Sequence, residues 1–396
     1  MHAGKMPVPR SGEDLDDAPS PAQSASAVTG RPSRRDWSRC RDRVDGPWRY
    51  RRTSGGGRIR APRAGYDWTH PSNGTSIMCY SAQITADYRK YVHVYGADID
   101  IDEFVRLFWD RRSGSKSKIP KAMEAPFLTP QNDVENRIKE SITAFSAEQT
   151  AKLEQDLFKQ RTRLADAERT LLTKTTKAAT ESKRIATDKI DWIRGKLEDF
   201  SRTELKDRDS RIFPGQYAPV MVVEDGHLVV KPMRYQCRPA GKPAFYDTKY
   251  PGTYNARRDN LEGFWKGLFG YTHGLMLVSA FYENVPWHRM EGRELVEGEN
   301  EENVVLEFKP NPPQDMLIAC LWSKWTGRDE PDLLSFAAVT DDPPAEIALA
   351  GHDRCIVPIK PENINAWLNP DPADLAAQYA ILDDRHQPYY KYRLAA

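Results

Sequence analysis

Long apolar runs are missing from this 396-residue chain. A membrane-spanning helix needs roughly 18 uninterrupted apolar residues. The longest runs, Leu275 to Phe281 and Met316 to Trp322, are strand-sized, so an integral membrane protein is not expected. Cysteine is scarce too. Cys40, Cys79, Cys237, Cys320 and Cys355 form no CxxC pair, which argues against a zinc site or a disulfide framework and fits a reducing cytoplasm. Nor is there an excess of either charge, with 58 Lys and Arg against 57 Asp and Glu. That balance hides an asymmetry, because residues 1–77 hold 14 basic against 8 acidic residues, a net of +6, and leave the remainder near −5. Any nucleic-acid contact by the main body must come from a local basic patch. The length and an apolar share of 39% suit one large domain or two ordinary ones.

Periodicity is absent from residues 1–77, where Arg, Pro, Ser, Gly and Asp dominate. Such a segment is expected to be disordered. It carries no apolar core of a secretory signal. Because Met78 follows immediately, a start codon assigned too far upstream would produce the same boundary. Residues 85–110 contain the helical spacing Phe104, Leu107 and Phe108 after a short Ile99, Ile101 alternation, and a linker with Gly114, Pro120, Pro126 and Pro130 follows. Between Gln131 and Arg194 there is neither proline nor glycine, and the composition reads as long helix. Leu157, Leu164, Leu171, Ala178 and Ile185 recur every seven residues, but the second seam of a coiled coil is mostly polar. A single helix would reach roughly 95 Å, whereas a pair folded back on itself would shield that stripe better.

After Pro214-Gly215 the texture changes to strands. Val220 to Val223 and Leu228 to Val230 flank Glu224-Asp225-Gly226, a hairpin signal. Leu275 to Phe281, Val304 to Phe308, Met316 to Trp322, Ser335 to Val339 and Cys355 to Ile359 add further short runs, and a last helix starts near Pro361. The fold class expected is α+β, a mainly antiparallel barrel-like or sandwich sheet with helices at its margins. Residues 78–130 and 209–396 would form the main domain, 131–208 a helical insertion, and 1–77 an extension.

Met78-Cys79 carries the most chemistry. If translation starts at Met78 and that methionine is removed, Cys79 presents a thiol and a free α-amine, with reference pKa values near ~8.5 and ~8. Such a 1,2-aminothiol condenses with an aldehyde, the amine forming a Schiff base and the sulfur closing a thiazolidine ring. An internal cysteine cannot do so, and Cys79 read alone also fits an ordinary buried cysteine.

Three other segments accompany Met78-Cys79-Tyr80-Ser81-Ala82. They are Tyr254-Asn255-Ala256-Arg257-Arg258-Asp259, Phe281-Tyr282-Glu283-Asn284, and Gly351-His352-Asp353-Arg354-Cys355. In motif and order they resemble the SOS-response-associated peptidase family, over residues 78 to about 110 and 212 to 393. The resemblance implies a protein that crosslinks covalently to abasic sites in single-stranded DNA, with no metal or organic cofactor, in the cytoplasm and associated with the nucleoid. Cys79 would be the nucleophile, exposed by autoproteolysis or an aminopeptidase. Asn255 would help hold the terminal residue and the sugar, Arg257 and Arg354 would grip flanking phosphates, Glu283 would act as acid and base, and His352 would shuttle protons. A replication or repair protein would be a further partner, through the helical insertion.

Elementary chemistry is consistent with those roles. Abasic deoxyribose is mostly a closed hemiacetal, so opening it needs an acid at the ring oxygen and a base at the hydroxyl. A carboxyl at the end of a buried strand has a raised pKa suited to proton donation near neutrality, and arginine matches phosphate bidentately without reading sequence. Bland readings stand beside them: Asn255 as a turn residue, Glu283 as a solvated strand end, His352 as part of a loop ion-pair cluster, and His273 and His288 as structural. The sequence also departs from the family pattern. Asn284 stands where tryptophan is common, Asp259 where glutamate is usual, and Pro239-Ala240-Gly241-Lys242 where a tryptophan-rich turn is usual. Two other functions remain open from the residues alone. One is a thiol peptidase using Cys79 with His352 as base, and the other is a noncatalytic interaction protein organised by the helical insertion.

Overall fold

A computed structural model describes residues 81–328 and 330–395. All belong to a unit spanning Asn73–Ala396. The extension 1–77 and Cys79 lie outside the described residues. Among the described residues, thirteen strands pair into one sheet: β1 (Ser81–Ile84), β2 (Asp98–Ile99), β3 (Arg211–Ile212), β4 (Tyr217–Glu224), β5 (His227–Tyr235), β6 (Asn255–Arg257), β7 (His273–Pro286), β8 (Asn303–Asn311), β9 (Met316–Trp325), β10 (Leu333–Asp341), β11 (Cys355–Ile356), β12 (Pro358–Ile359) and β13 (Tyr389–Leu394). The main path runs β12-β9-β10-β5-β4-β7-β1-β3, and an additional pairing of β7 with β9 joins β9, β10, β5, β4 and β7 into a closed circuit. The sheet is mixed. Named strands run parallel in β2–β5, β5–β10 and β6–β10, and antiparallel elsewhere.

The Asp-Gly signal is realised as expected. Asp225 and Gly226 have φ of 50° and 79°, and the turn sets Glu224 opposite His227, which fixes the register of β4 on β5. Both central residues of this turn need positive φ, which Asp and Gly tolerate. Strand β7 is the spine of the core, with Leu275, Met276, Leu277, Val278 and Phe281 almost fully buried. It approaches β4 so closely that a Cβ on Gly274 would lie 2.9 Å from Val220 Cγ1. His273 is a satisfied core histidine. Its Nδ1–H donates to the Trp367 carbonyl at 2.9 Å, and its Nε2 accepts from the Gly270 N–H at 2.9 Å.

Five helices precede the main strands: α1 (Tyr88–Tyr95), α2 (Ile101–Arg112), α3 (Lys121–Leu128), α4 (Asp133–Thr173) and α5 (Lys177–Ser201). The spacing Phe104, Leu107, Phe108 does form the buried face of α2. The expected linker is in part helix, because Ala122, Met123 and Phe127 share a buried face that tolerates Pro126 near the end of α3. Phe127 packs on Tyr88, Phe104 and Phe108 at ring separations of 5.1–5.6 Å. Glu135 fastens α4 to this cluster. Its carboxylate accepts from Tyr88 Oη and Arg89 Nη2 at 2.8 Å each and from the Gln131 N–H at 2.9 Å. Burial pulls its pKa upward, but those three donors outweigh burial and hold it below the usual carboxylate value.

The proline-free stretch folds as a helix pair. The break falls at Lys174-Thr175-Thr176, next to Thr173, where β-branched side chains weaken the helix and Thr176 Oγ1 accepts from the Ala179 N–H at 3.1 Å to cap α5. The break also interrupts the seven-residue stripe. Leu157, Leu164, Leu171 and Ile185 are partly buried, but Ala178 beside the break is exposed, and Ala179, Ala186, Ile190 and Ile193 are the buried residues of α5.

Candidate functional site

Strand alternation decides what β7 presents. Phe281, Glu283 and Val285 share one face, and all three are buried. A carboxyl in that row is expensive unless it is neutral or paired. Glu283 Oε2 lies 3.3 Å from His352 Nε2, and their side chains are only 7% and 12% exposed. Burial pushes the Glu283 carboxyl well above its ordinary pKa, with the Arg354 guanidinium pulling it down and Asp353 adding to the rise. Burial pushes the His352 imidazole down, against a raising bond from the Arg354 carbonyl.

The tautomer follows from the hydrogen bonds. His352 Nδ1 sits 2.9 Å from the Arg354 carbonyl, which only accepts, so Nδ1 carries the proton and Nε2 is left as the acceptor. The Arg354 N–H also points at Nδ1, at the longer distance of 3.3 Å, and we assign the tautomer from the shorter contact. Glu283, its pKa raised by burial, therefore lies 3.3 Å from the Nε2 of an imidazole whose pKa burial lowers.

Gly351 makes that meeting possible. Its φ of +94° is a left-handed conformation that side chains disfavour, and a Cβ there would lie 2.8 Å from Arg289 Cβ and 2.9 Å from Val285 Cγ1. The chain thus turns tightly against the end of β7 one residue before His352. This signal was present in the sequence as the glycine of Gly351-His352, but only the fold shows which strand it must pass.

Asn255 and Arg257 come from β6, with Ala256 between them in the core. Pairing sets Asn255, Ala256 and Arg257 beside Ala338, Val339 and Thr340 of β10, and Thr340 also faces Ile356 of β11. One end of β10 therefore carries β6 on one flank and the segment after Arg354 on the other. Asn255 Oδ1 is buried and has no hydrogen-bond partner among the described residues, so it is an acceptor open to a ligand donor.

The two arginines are not bare. Arg257 donates to Asp259 through Nε at 3.1 Å and Nη2 at 2.7 Å, and Arg354 Nε lies 3.3 Å from Asp353 Oδ1. The bond from Arg257 is the first cause holding Asp259 below the usual carboxylate range, and the Arg354 charge adds to it. Asp353 is drawn the same way by Arg354, His352 and Arg257 against the effect of burial. Sequence reasoning saw the Asp353–Arg354 pairing as an alternative to function; the structure has it alongside the buried Glu283–His352 pair. Glu283 and His352 thus touch, and Arg257 and Arg354 share one charge cluster. Cys79, the sixth expected site residue, lies outside the described residues.

A neighbouring network was not anticipated. Arg211 Nε donates to Ser81 Oγ at 2.9 Å, and its guanidinium stacks on the Tyr282 ring at 3.7 Å. Tyr282 Oη bonds the buried Glu307 at 2.8 Å. Ser81 pairs with Tyr282 in the β1–β7 register, so the start of β1 abuts the strand position next to Glu283. Among the described residues the cysteines, Cys237, Cys320 and Cys355, are free and buried, and no cluster of metal-binding side chains occurs.

Comparison with solved structures returns weakly similar chains. A Bordetella bronchiseptica protein is 16% identical, covers 47% of this chain and 87% of its own, and gives a TM-score of 0.37. A Bacteroides thetaiotaomicron protein is 14% identical over 47% and 77%, with a TM-score of 0.37. A phage-related protein from Bordetella bronchiseptica is 22% identical over 47% and 80%, with a TM-score of 0.35. Comparison with curated proteins gives no match. The family model described as SOS response associated peptidase (SRAP) matches residues 169–393, more than half of the chain. The match takes in α5 and every strand from β3 to β12, with all of Asn255, Arg257, Glu283, His352 and Arg354 inside it, and the chain belongs to the SOS response associated peptidase family.

Proposed function

We propose that this protein crosslinks covalently to abasic sites in single-stranded DNA through Cys79, once autoproteolysis or an aminopeptidase has exposed its α-amine. Family membership ties the chain to the response to DNA damage, and the crosslink is our reading of its chemistry. The observation that carries it is the buried Glu283–His352 contact at 3.3 Å. A neutral carboxyl donates a proton to the deoxyribose ring oxygen while the imidazole nitrogen accepts the C1′ hydroxyl proton, and the hemiacetal opens to an aldehyde. The α-amine of Cys79 then adds to C1′, water leaves to give an imine, and the thiol adds across the C=N bond. One aldehyde and one aminothiol become one thiazolidine and one water.

Covalent geometry supports the nucleophile. Cys79 stands two residues before Ser81, a reach of at most about 7 Å, and Ser81 lies opposite Tyr282, the neighbour of Glu283. Asn255 Oδ1 offers an unfilled acceptor to a donor of the sugar or of the terminal residue, and Arg257 and Arg354 would exchange Asp259 and Asp353 for backbone phosphates. We take residues 78–130 and 209–396 as the barrel-like catalytic domain and 131–208 as its insertion. The test is to incubate protein beginning at Cys79 with an abasic single-stranded oligonucleotide at neutral pH and look for a denaturation-resistant adduct. Folded protein that forms none, or a chain retaining Met78 uncleaved that forms it equally well, sinks the proposal.

A further inference from the structure

We propose that the tip of the α4/α5 hairpin is a second nucleic-acid contact, gripping the phosphate backbone of a strand away from the Glu283–His352 pair without reading its sequence. The evidence is the way charge is distributed along the hairpin. Between Lys159 and Arg184 there are eight Lys and Arg against three Asp and Glu, a net of +5. The base of the same hairpin, residues 133–158 and 185–201, holds six basic against ten acidic residues, a net of −4. A solvated helical face tends to balance its charges along its length, whereas here the net charge changes sign from base to tip.

The last ring that ties α4 to α2 is Phe145, 4.3 Å from the Arg111 guanidinium. From there the helix runs about 40 Å further along its axis to Thr173. At the tip, Lys159, Arg169, Lys183 and Arg184 are in ion pairs with neighbouring carboxylates. Arg161, Lys174 and Lys177 are exposed and have no ion pair among the described residues. Arg163 bridges the helices by donating from Nε to Ser182 Oγ at 2.9 Å. It lines a groove of about 560 Å³ together with Lys159, Asp166, Thr162, Thr170, Thr176 and Ser182, and Asp166 there is paired with Arg169.

Guanidinium and ammonium groups with interspersed hydroxyls are the donor set that phosphate oxygens take. Leu172 and, immediately before this stretch, Phe158 are its large exposed apolar side chains, which gives too little apolar area to bury in a lipid surface, and between Lys159 and Arg184 no aromatic ring is present to stack a base. The partner is therefore a polyanionic strand held by charge.

The probe is an undamaged single strand of about 40 nucleotides, longer than one ordinary single-strand site. Its binding is followed by fluorescence anisotropy against salt concentration. The triple variant Arg161→Ala, Lys174→Ala, Lys177→Ala is compared with Lys139→Ala, Lys152→Ala, Lys189→Ala, which removes the same charge from the base of the hairpin. Circular dichroism confirms that both stay helical. The tip variant is expected to weaken binding about tenfold or more at low salt and to reduce the slope of log K against log salt by about 2, with the base variant near wild type. Equal loss in both variants, no loss in either, or loss of binding to vesicles of phosphatidylserine and phosphatidylcholine with DNA binding intact overturns the proposal. Undamaged DNA offers no aldehyde, so this outcome and the outcome of the crosslinking test are independent.

Discussion

Glu283 is where residue chemistry and fold stability meet. Its pKa is raised in the folded chain because burial disfavours the carboxylate, so the stabilising neutral form is fully present below the ordinary carboxyl pKa and is lost as pH rises through the raised folded value. His352 has the opposite sense. Burial depresses it, so its contribution is present above the ordinary imidazole pKa and is lost as pH falls through the folded value. Glu283→Gln should therefore keep the fold, flatten the alkaline loss of stability seen in denaturant melts, and abolish most crosslinking together with the alkaline limb of its pH profile. An unchanged profile would remove Glu283 from the proton transfer. Gly351→Ala tests the turn that delivers His352. With φ at +94° and a new Cβ under 3 Å from Arg289 and Val285, it should cost about 1–3 kcal/mol and depress crosslinking more than Gly267→Ala, whose Cβ would meet nothing within 4 Å. The residue types of the site were legible from Asn255-Ala256-Arg257 and His352-Asp353-Arg354, and so was a raised carboxyl at Glu283. The open acceptor on Asn255 and the tautomer of His352 were not, because both depend on neighbours far away in sequence.

At the scale of elements, the helix pair shows where local propensity speaks clearly and where it falls silent. Absence of proline and glycine correctly marks 131–194 as helical, yet the break comes from threonines and a cap rather than from either breaker. Thr176→Ala removes the acceptor of the Ala179 N–H and should loosen the first turn of α5 by about 1 kcal/mol, seen as faster hydrogen exchange at the start of α5 with α4 unaffected. The charge cluster between β6 and β11 makes a second element-level prediction. Asp353 keeps Arg354 partly neutralised, so Asp353→Asn should tighten binding of undamaged single strands severalfold and steepen its salt dependence by about one phosphate contact, ~0.7 in slope. Unchanged affinity and slope would mean that Arg354 does not reach the backbone.

The described residues are held by a sheet that returns repeatedly to β7, β9 and β10, with α1 to α3 joined through the Tyr88–Phe104–Phe108–Phe127 cluster and α4 fastened to it by Glu135. Phe127→Ala should cost about 3–5 kcal/mol in global unfolding while the Glu283–His352 contact persists below the melt, because that ring is in the helical layer rather than beside the site. By itself the sequence determined the long helical stretch, the main strands β4, β5, β7, β8, β9 and β10, the Asp225-Gly226 turn, the four motifs and the family they resemble. These depend on periodicity, turn chemistry and residue order, which are local properties of the chain. Only the tertiary structure decided that the proline-poor stretch doubles back, that its net basic segments meet at one end of a paired hairpin, and that β7 sets Glu283 against a histidine 69 positions away. Register between distant strands and the burial of a carboxyl are set by packing of the whole core, and no short window of sequence contains that information.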